Sequence, residues 1–201
     1  MELEIRGVKI RISYLFLALV GLFLITDSTG FAPYIVLACV VHELGHLASM
    51  AFFSLVPRRI SLQIFGVRIE RAPFLPVSYR QEAVVYAAGP MVNFICGGLF
   101  WLWGTLQNKQ ELLQIAVLNF TIGGFNCLPV GVLDGGNALR MLLRQRFSVQ
   151  LSRRVETAVS VVVLIPVAAA AFWMAISHWR NYTLAITVGY LTVMLLVQSG
   201  D

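Results

Sequence analysis

Two histidines and a glutamate lie in the middle of an otherwise uncharged apolar stretch running from about Tyr34 to Val56, as His42-Glu43-Leu44-Gly45-His46. Ionisable side chains are costly inside an apolar segment, so these three restrict the chain to folds that give each of them a partner or a task. On a helix, positions four apart stand one turn above the other on one face, which brings both imidazoles within reach of a single metal ion. Glu43, beside the first imidazole, is then placed to take a proton from a metal-bound water. The plainer reading is a pair of histidines hydrogen-bonded in a helix bundle, and it leaves Glu43 buried without a purpose.

The composition says what surrounds that segment. Of 201 residues, 58% are hydrophobic and 12% charged, and mean hydropathy is +0.79. A soluble domain carries about twice that charged share, so the expected class is an all-α membrane protein crossing the bilayer several times. The net charge of +5 and pI near 9.4 come without a Lys/Arg-rich arm or an aromatic-interleaved basic patch, so nucleic acid is not the expected partner. Cys39, Cys96 and Cys127 are odd in number and scattered through apolar segments, which argues against a disulfide framework.

Residues 2–12 alternate apolar and charged, with a change of parity at Gly7 that predicts one strand with a bulge. The apolar run Tyr14–Ile25 follows and is short for a span. Basic flank and short core also fit a secretory leader, with Ser28-Thr29-Gly30 as a small-x-small site. An amphipathic strand is the wrong opening for a leader, so a retained first span is the expectation. After the His-Glu span, residues 59–71 alternate again and predict a hairpin or one bulged strand, ended by Pro73 and Pro76. Further spans are expected over about Glu82–Leu106, Leu112–Leu128, Val155–Ile176 and Leu184–Val197, six in all. Pro90 should kink the third or free a carbonyl, and Asn93 reads as an interhelical hydrogen bond in preference to a substrate contact. Val130 to Gly136 is expected outside regular helix, with Asn137 capping a short helix after it.

Positive charge sets the expected topology. Thirteen of the 15 Lys and Arg residues precede the first span or follow the second and fourth. Both termini and the amphipathic strands are therefore expected at the cytoplasmic face. Trp101, Trp103, Trp179 and Tyr182 are expected at the interfaces, and His178 as an interface residue.

A zinc site with two histidines needs a third protein ligand. The acids after the motif are Glu70, Glu82, Glu111, Asp134, Glu156 and Asp201. Glu156 begins a span near a row of arginines and reads as solvated or ion-paired. Asp134 lies in Asn126-Cys127-Leu128-Pro129-Val130-Gly131-Val132-Leu133-Asp134-Gly135-Gly136, where a span breaks. Irregular backbone at membrane depth is tolerated when buried in protein or lining a polar cavity, and paired glycines allow close approach to a site. Asp134 is the favoured ligand over a simple helix cap. Glu70 or Glu82 would serve instead in a membrane zincin of another type.

HELGH at 42–46, AAGPMVN at 87–93 and NCLPVGVLDGG at 126–136 resemble, in order and spacing, the three signatures of the site-2 protease family of intramembrane zinc metalloproteases. The compact plan is most similar to its bacterial sporulation-factor-processing branch, without a PDZ or appended regulatory domain. The resemblance implies one Zn2+ per chain on His42, His46 and Asp134, Glu43 as catalytic base, and Asn126 positioning substrate. It implies a single protease domain over 1–201, with a core at about 32–145 and accessory spans at about 13–27, 155–176 and 184–198. The implied activity is endopeptidase cleavage in or near the span of a membrane-protein substrate, possible regulation coming from a second protein. Substrate would be engaged by strand addition along 59–71, although the strands at 2–12 and 59–71 could equally pair only with each other. The alternative is a zinc-binding membrane protein without protease activity, a transporter or pseudoprotease. Where members often carry prolines between the Asn-x-x-Pro and the Asp, this chain has Gly131 and Val132, which implies a more mobile loop.

Overall fold

The computed structural model describes residues 2–5, 8–55, 57–63, 66–71, 77–177 and 183–200. Four strands and seven helices follow in the order β1 (Glu2–Ile5), β2 (Val8–Ile12), α1 (Tyr14–Thr26), α2 (Ala32–Phe52), β3 (Pro57–Gln63), β4 (Gly66–Arg71), α3 (Tyr79–Gln107), α4 (Gln110–Asn126), α5 (Asp134–Arg144), α6 (Val149–Ile176) and α7 (Thr183–Gly200). Pro73, Pro76, His178, Trp179, Arg180 and Tyr182 lie outside the described residues.

The strands form one sheet in the order β1-β2-β3-β4. Residues 2–12 are not the single bulged strand their alternation predicts. Glu2 pairs with Arg11 and Ile5 with Val8, an antiparallel hairpin whose connection, Arg6 and Gly7, lies outside the described residues. A parity change in sequence is common to a bulge and a chain reversal, and only the pairing partner separates them. The second alternating run is the expected hairpin, with Ile60 opposite Ile69. The two hairpins join through a parallel β2–β3 pairing, Lys9 beside Arg59 and Ile12 beside Leu62. That leaves β1 and β4 as the edge strands.

Among the described residues, three helices are long and apolar enough to cross a membrane: α2, α3 and α6. α1 has 13 residues, about 20 Å of helix against a hydrocarbon core of about 30 Å. α3 starts three residues before its expected boundary because Ser78 and Gln81 form a capping box, each side chain bonding the other's backbone N–H. α6 starts six residues early, at a Ser148 N-cap that accepts from Leu151 N. Its first turns carry Arg153 and Arg154, which a hydropathy boundary leaves out.

α3 is the central helix, packed on α2, α4 and α5, while α6 lies on α5 and α7. Outward faces are apolar: Phe23 on α1, Leu99, Trp101 and Trp103 on α3, and Val162, Ile165, Phe172 and Trp173 on α6 are all exposed. Such continuous apolar exposure on long helices is the surface of a membrane protein, with lipid as its covering. Two apolar clusters lie inside. Met50, Leu55 and Val85 join α2 to α3, and Val130, Leu164, Leu191 and Leu195 bury the turn after α4 against α6 and α7.

Candidate metal centre

His42 and His46 lie a turn apart on α2, both buried, with ring centroids 4.9 Å apart. Each ring is held through Nδ1. His46 Nδ1–H donates to the Val85 carbonyl of α3 at 2.7 Å. That carbonyl neighbours the Tyr86 carbonyl, whose helical donor Pro90 removes. His42 Nδ1–H donates to Asn93 Oδ1 at 2.6 Å. The Asn93 amide can face only one way, because its Nδ2 donates to Ala38 O (3.2 Å) and to Asn119 Oδ1 (3.1 Å). Asn119 is itself oriented by donating to Ile115 O at 2.9 Å. Asn93 has no exposed surface, and Asn119 is nearly as buried. Asn93 is thus an interhelical hydrogen bond, as the sequence leads one to expect, but its main partner is a candidate metal ligand. The network sets the tautomer, leaving both Nε2 atoms with free lone pairs on the same side.

Asp134 completes the cluster. Its Oδ2 lies 2.9 Å from His42 Nε2 and 3.2 Å from His46 Nε2, and the two Nε2 atoms are 3.2 Å apart. Tetrahedral zinc with bonds of about 2.0–2.1 Å separates its ligand atoms by about 3.3 Å, so the triangle has the right size. Both ring protons are committed to Nδ1, so three electron-rich atoms converge with no proton of their own between them. That is costly unless a cation sits there. Among the described residues this is the one group of three His, Cys, Asp or Glu side chains arranged to hold a metal ion. Glu82, at the start of α3, is not part of it, and the Glu70 side chain lies outside the described residues.

α3 leaves room for the site by presenting bare backbone. A Cβ on Gly89 would sit 2.7 Å from His42 Nε2 and closer still to His46 Nε2. Any side chain there would occupy the space where the three donor atoms meet. The segment AAGP reads in sequence as a close helix contact, and nothing in it announces that the glycine faces a metal site. Glu43 is half-buried on the same helix, and the charges that bear on it are those of His46, His42 and Asp134.

The turn that delivers Asp134 departs from expectation in three ways. Asp134, Gly135 and Gly136 form the first turn of α5, with Leu133 as N-cap, so helix begins before Asn137. Side chains at Gly135 or Gly136 would collide with the carbonyls of Cys127 and Val130, so poor helix formers are tolerated where the turn packs onto the preceding loop. Asn137, inside the helix, donates to Leu133 O at 3.0 Å. The loop before Asp134 is held, against the mobility its missing prolines imply. Val130 is fully buried, Gly131 N–H donates to Ser160 Oγ (3.0 Å), and Gly131 O accepts from Arg140 Nη2 (3.1 Å). Glu156, expected to be solvated or ion-paired, is 2% exposed, and its Oε1 accepts from Ser160 Oγ at 3.1 Å. Its helix begins a turn and a half before the expected boundary, which carries Glu156 inward from the rim. Asn126 is half-buried; among the described residues its hydrogen bond is to its own helix, to Ile122 O at 3.0 Å, and none joins it to the cluster.

Residues 107–170 match peptidase family M50. The chain is 25% identical over 187 residues, 81% of its length, to a zinc metalloprotease of Methanocaldococcus jannaschii. It is 26% identical over 192 residues, 87% of its length, to stage IV sporulation protein FB of Bacillus subtilis. It spans 52% and 66% of the lengths of these two relatives. The fold resembles the solved site-2 protease from Methanocaldococcus jannaschii, with a TM-score of 0.68 at 21% identity over 99% of this chain and 94% of that one. The three motifs, the two-histidine, one-carboxylate cluster and these matches make the chain similar to peptidase family M50 over residues 107–170 and, in fold, to a site-2 protease.

Proposed function

We propose that the chain is an intramembrane zinc endopeptidase that hydrolyses a peptide bond in or near the span of a membrane-protein substrate. The observation that carries this reading is the convergence of His42 Nε2, His46 Nε2 and Asp134 Oδ2 beside a half-buried Glu43. Zn2+ bound there supplies Lewis acidity, which acidifies a water and polarises the scissile carbonyl. The two histidines and Asp134 hold the ion. Asn93 and Val85 O keep the imidazoles in the tautomer that binds it. The Glu43 carboxylate accepts the proton of the attacking water and returns it to the leaving amine nitrogen. Asn126, at the end of α4, is the residue proposed to position substrate.

In this reading residues 1–201 act as one protease domain, with a core at about 32–145. α1, α4 and α7 join the three long helices as shorter or tilted spans, making six, with both termini cytoplasmic in the cell membrane. A helical substrate span keeps its carbonyls bonded, so it must unwind to be cut. The edge strand β4 offers backbone partners to the extended segment, and β1 is a second such edge. One observation favours the alternative of a zinc transporter or pseudoprotease, namely Glu156, a buried acid on a long apolar helix.

The test uses the full chain in proteoliposomes with a membrane-spanning substrate and a measurement of bound zinc. Wild type is expected to hold one zinc and cleave. Glu43→Gln should keep the zinc and lose cleavage, and Asp134→Ala should lose both. Cleavage that survives in Glu43→Gln, or zinc retained at full affinity by Asp134→Ala, would sink the mechanism. Zinc bound by a wild type that cuts nothing would favour the alternative.

A further inference from the structure

The third ligand is held from outside the helix that carries the first two. Asp134 follows a seven-residue turn, Cys127 to Leu133, that leaves α4 and enters α5. At its centre both backbone polar groups of Gly131 are held. Its N–H donates to Ser160 Oγ on α6 at 3.0 Å, and its carbonyl accepts from Arg140 Nη2 on α5 at 3.1 Å. Ser160 has no exposed surface. Besides accepting from Gly131, its hydroxyl lies within donating distance of Glu156 O (2.8 Å), Glu156 Oε1 (3.1 Å) and Pro129 O (3.3 Å). Beside it Val130, also fully buried, packs against Leu164 of α6 and Leu191 and Leu195 of α7. A proline at 131 would have no N–H to offer Ser160.

We infer that Ser160, with Glu156 behind it, is a positioning residue for Asp134. Through the Gly131 peptide it makes α6 and α7 the mount for one of the three metal ligands. The physical argument is one of satisfied polar groups. Removing the hydroxyl leaves a buried N–H without an acceptor, and the loop must move to find one. The Asp134 carboxylate moves with it, because only Val132 and Leu133 separate it from Gly131. Groups that orient a ligand in this way typically change metal affinity about 10–100-fold when removed.

This inference rests on the reading of Asp134 as a zinc ligand, so its test separates the two. Zinc affinity is measured by chelator competition on the full chain in detergent for wild type, Asp134→Ala, Ser160→Ala and Ser160→Thr. Backbone deuterium exchange is followed on the same samples. Ser160→Ala is expected to bind zinc at least tenfold more weakly, with faster exchange confined to residues 128–134. Ser160→Thr, which keeps the hydroxyl, should restore both. Zinc affinity within twofold of wild type in Ser160→Ala would overturn the inference, as would faster exchange throughout α2, α3 and α4. Should Asp134→Ala itself bind zinc like wild type, the ligand assignment fails before Ser160 comes into question.

Discussion

The two halves of the candidate metal centre are built differently. His42 and His46 stand on one regular helix, and their second nitrogens are held by an amide and a carbonyl of its neighbour α3. Asp134 opens α5 directly after an irregular turn whose hydrogen bonds run to α5 and α6. The imidazole side is a relay of side-chain amides with one possible orientation each. The carboxylate side is a backbone peptide clamped between two helices, with an apolar plug beside it. A ligand pair set by helical spacing needs its neighbours only for tautomer and tilt. A ligand brought by a loop needs them for its position.

The largest effect is expected where both halves meet. Gly89→Ala should abolish zinc binding and cleavage while helix content by circular dichroism is retained, since its methyl group would enter the space among the donor atoms. Zinc bound by Gly89→Ala at wild-type affinity would mean that the site lies elsewhere. Asn93→Ala breaks the imidazole half alone and is expected to weaken zinc binding about 10–100-fold. Asn119→Ala, one bond further out, should weaken it less. The contrast itself is tested by combining Asn93→Ala with Ser160→Ala. The two act through different ligands, so their costs in zinc affinity should add within about 0.3–0.5 kcal/mol. A larger coupling would merge the halves into one network.

The smallest effect is expected at the far end of α2. There Asp27 caps the turn into the helix, accepting from the Thr29 hydroxyl, from Thr29 N–H (2.9 Å) and from Ala32 N–H (2.7 Å). The Thr29 hydroxyl first, then these N–H groups, hold the Asp27 carboxyl below the usual carboxylate range. A depressed folded pKa means that the contribution is present above the unfolded value and lost as pH falls through the folded one. Asp27→Ala should therefore lower Tm slightly and by a constant amount from pH 8 to pH 5, and the difference should close only below about pH 4. A difference that grew on acidification would show that the carboxylate is not the cap.

Much of this protein is readable from local pattern. The hairpin at 59–71, the long helices and the pairing of His42 with His46 all follow from periods of two and of 3.6 residues. Pattern failed where a residue's partner lies far off in sequence. The alternation in 2–12 could not say whether the chain turned back. Charge near Glu156 suggested a solvated or ion-paired acid, and the extra helical turns from Ser148 carried it inside. Asn93 was legible as a polar group between helices, but not as the acceptor for His42.

The sequence alone determined which atoms could bind a metal, because residue type and helical spacing place two imidazoles on one face whatever surrounds them. It also determined that lipid would cover most of the surface, because apolar area on this scale has no other stable solvent. Only the tertiary structure decided how Asp134 is brought to the histidines, which nitrogen of each ring is free, and why position 89 carries glycine. Each of these depends on contacts between segments dozens of residues apart, and no local period in the sequence encodes them.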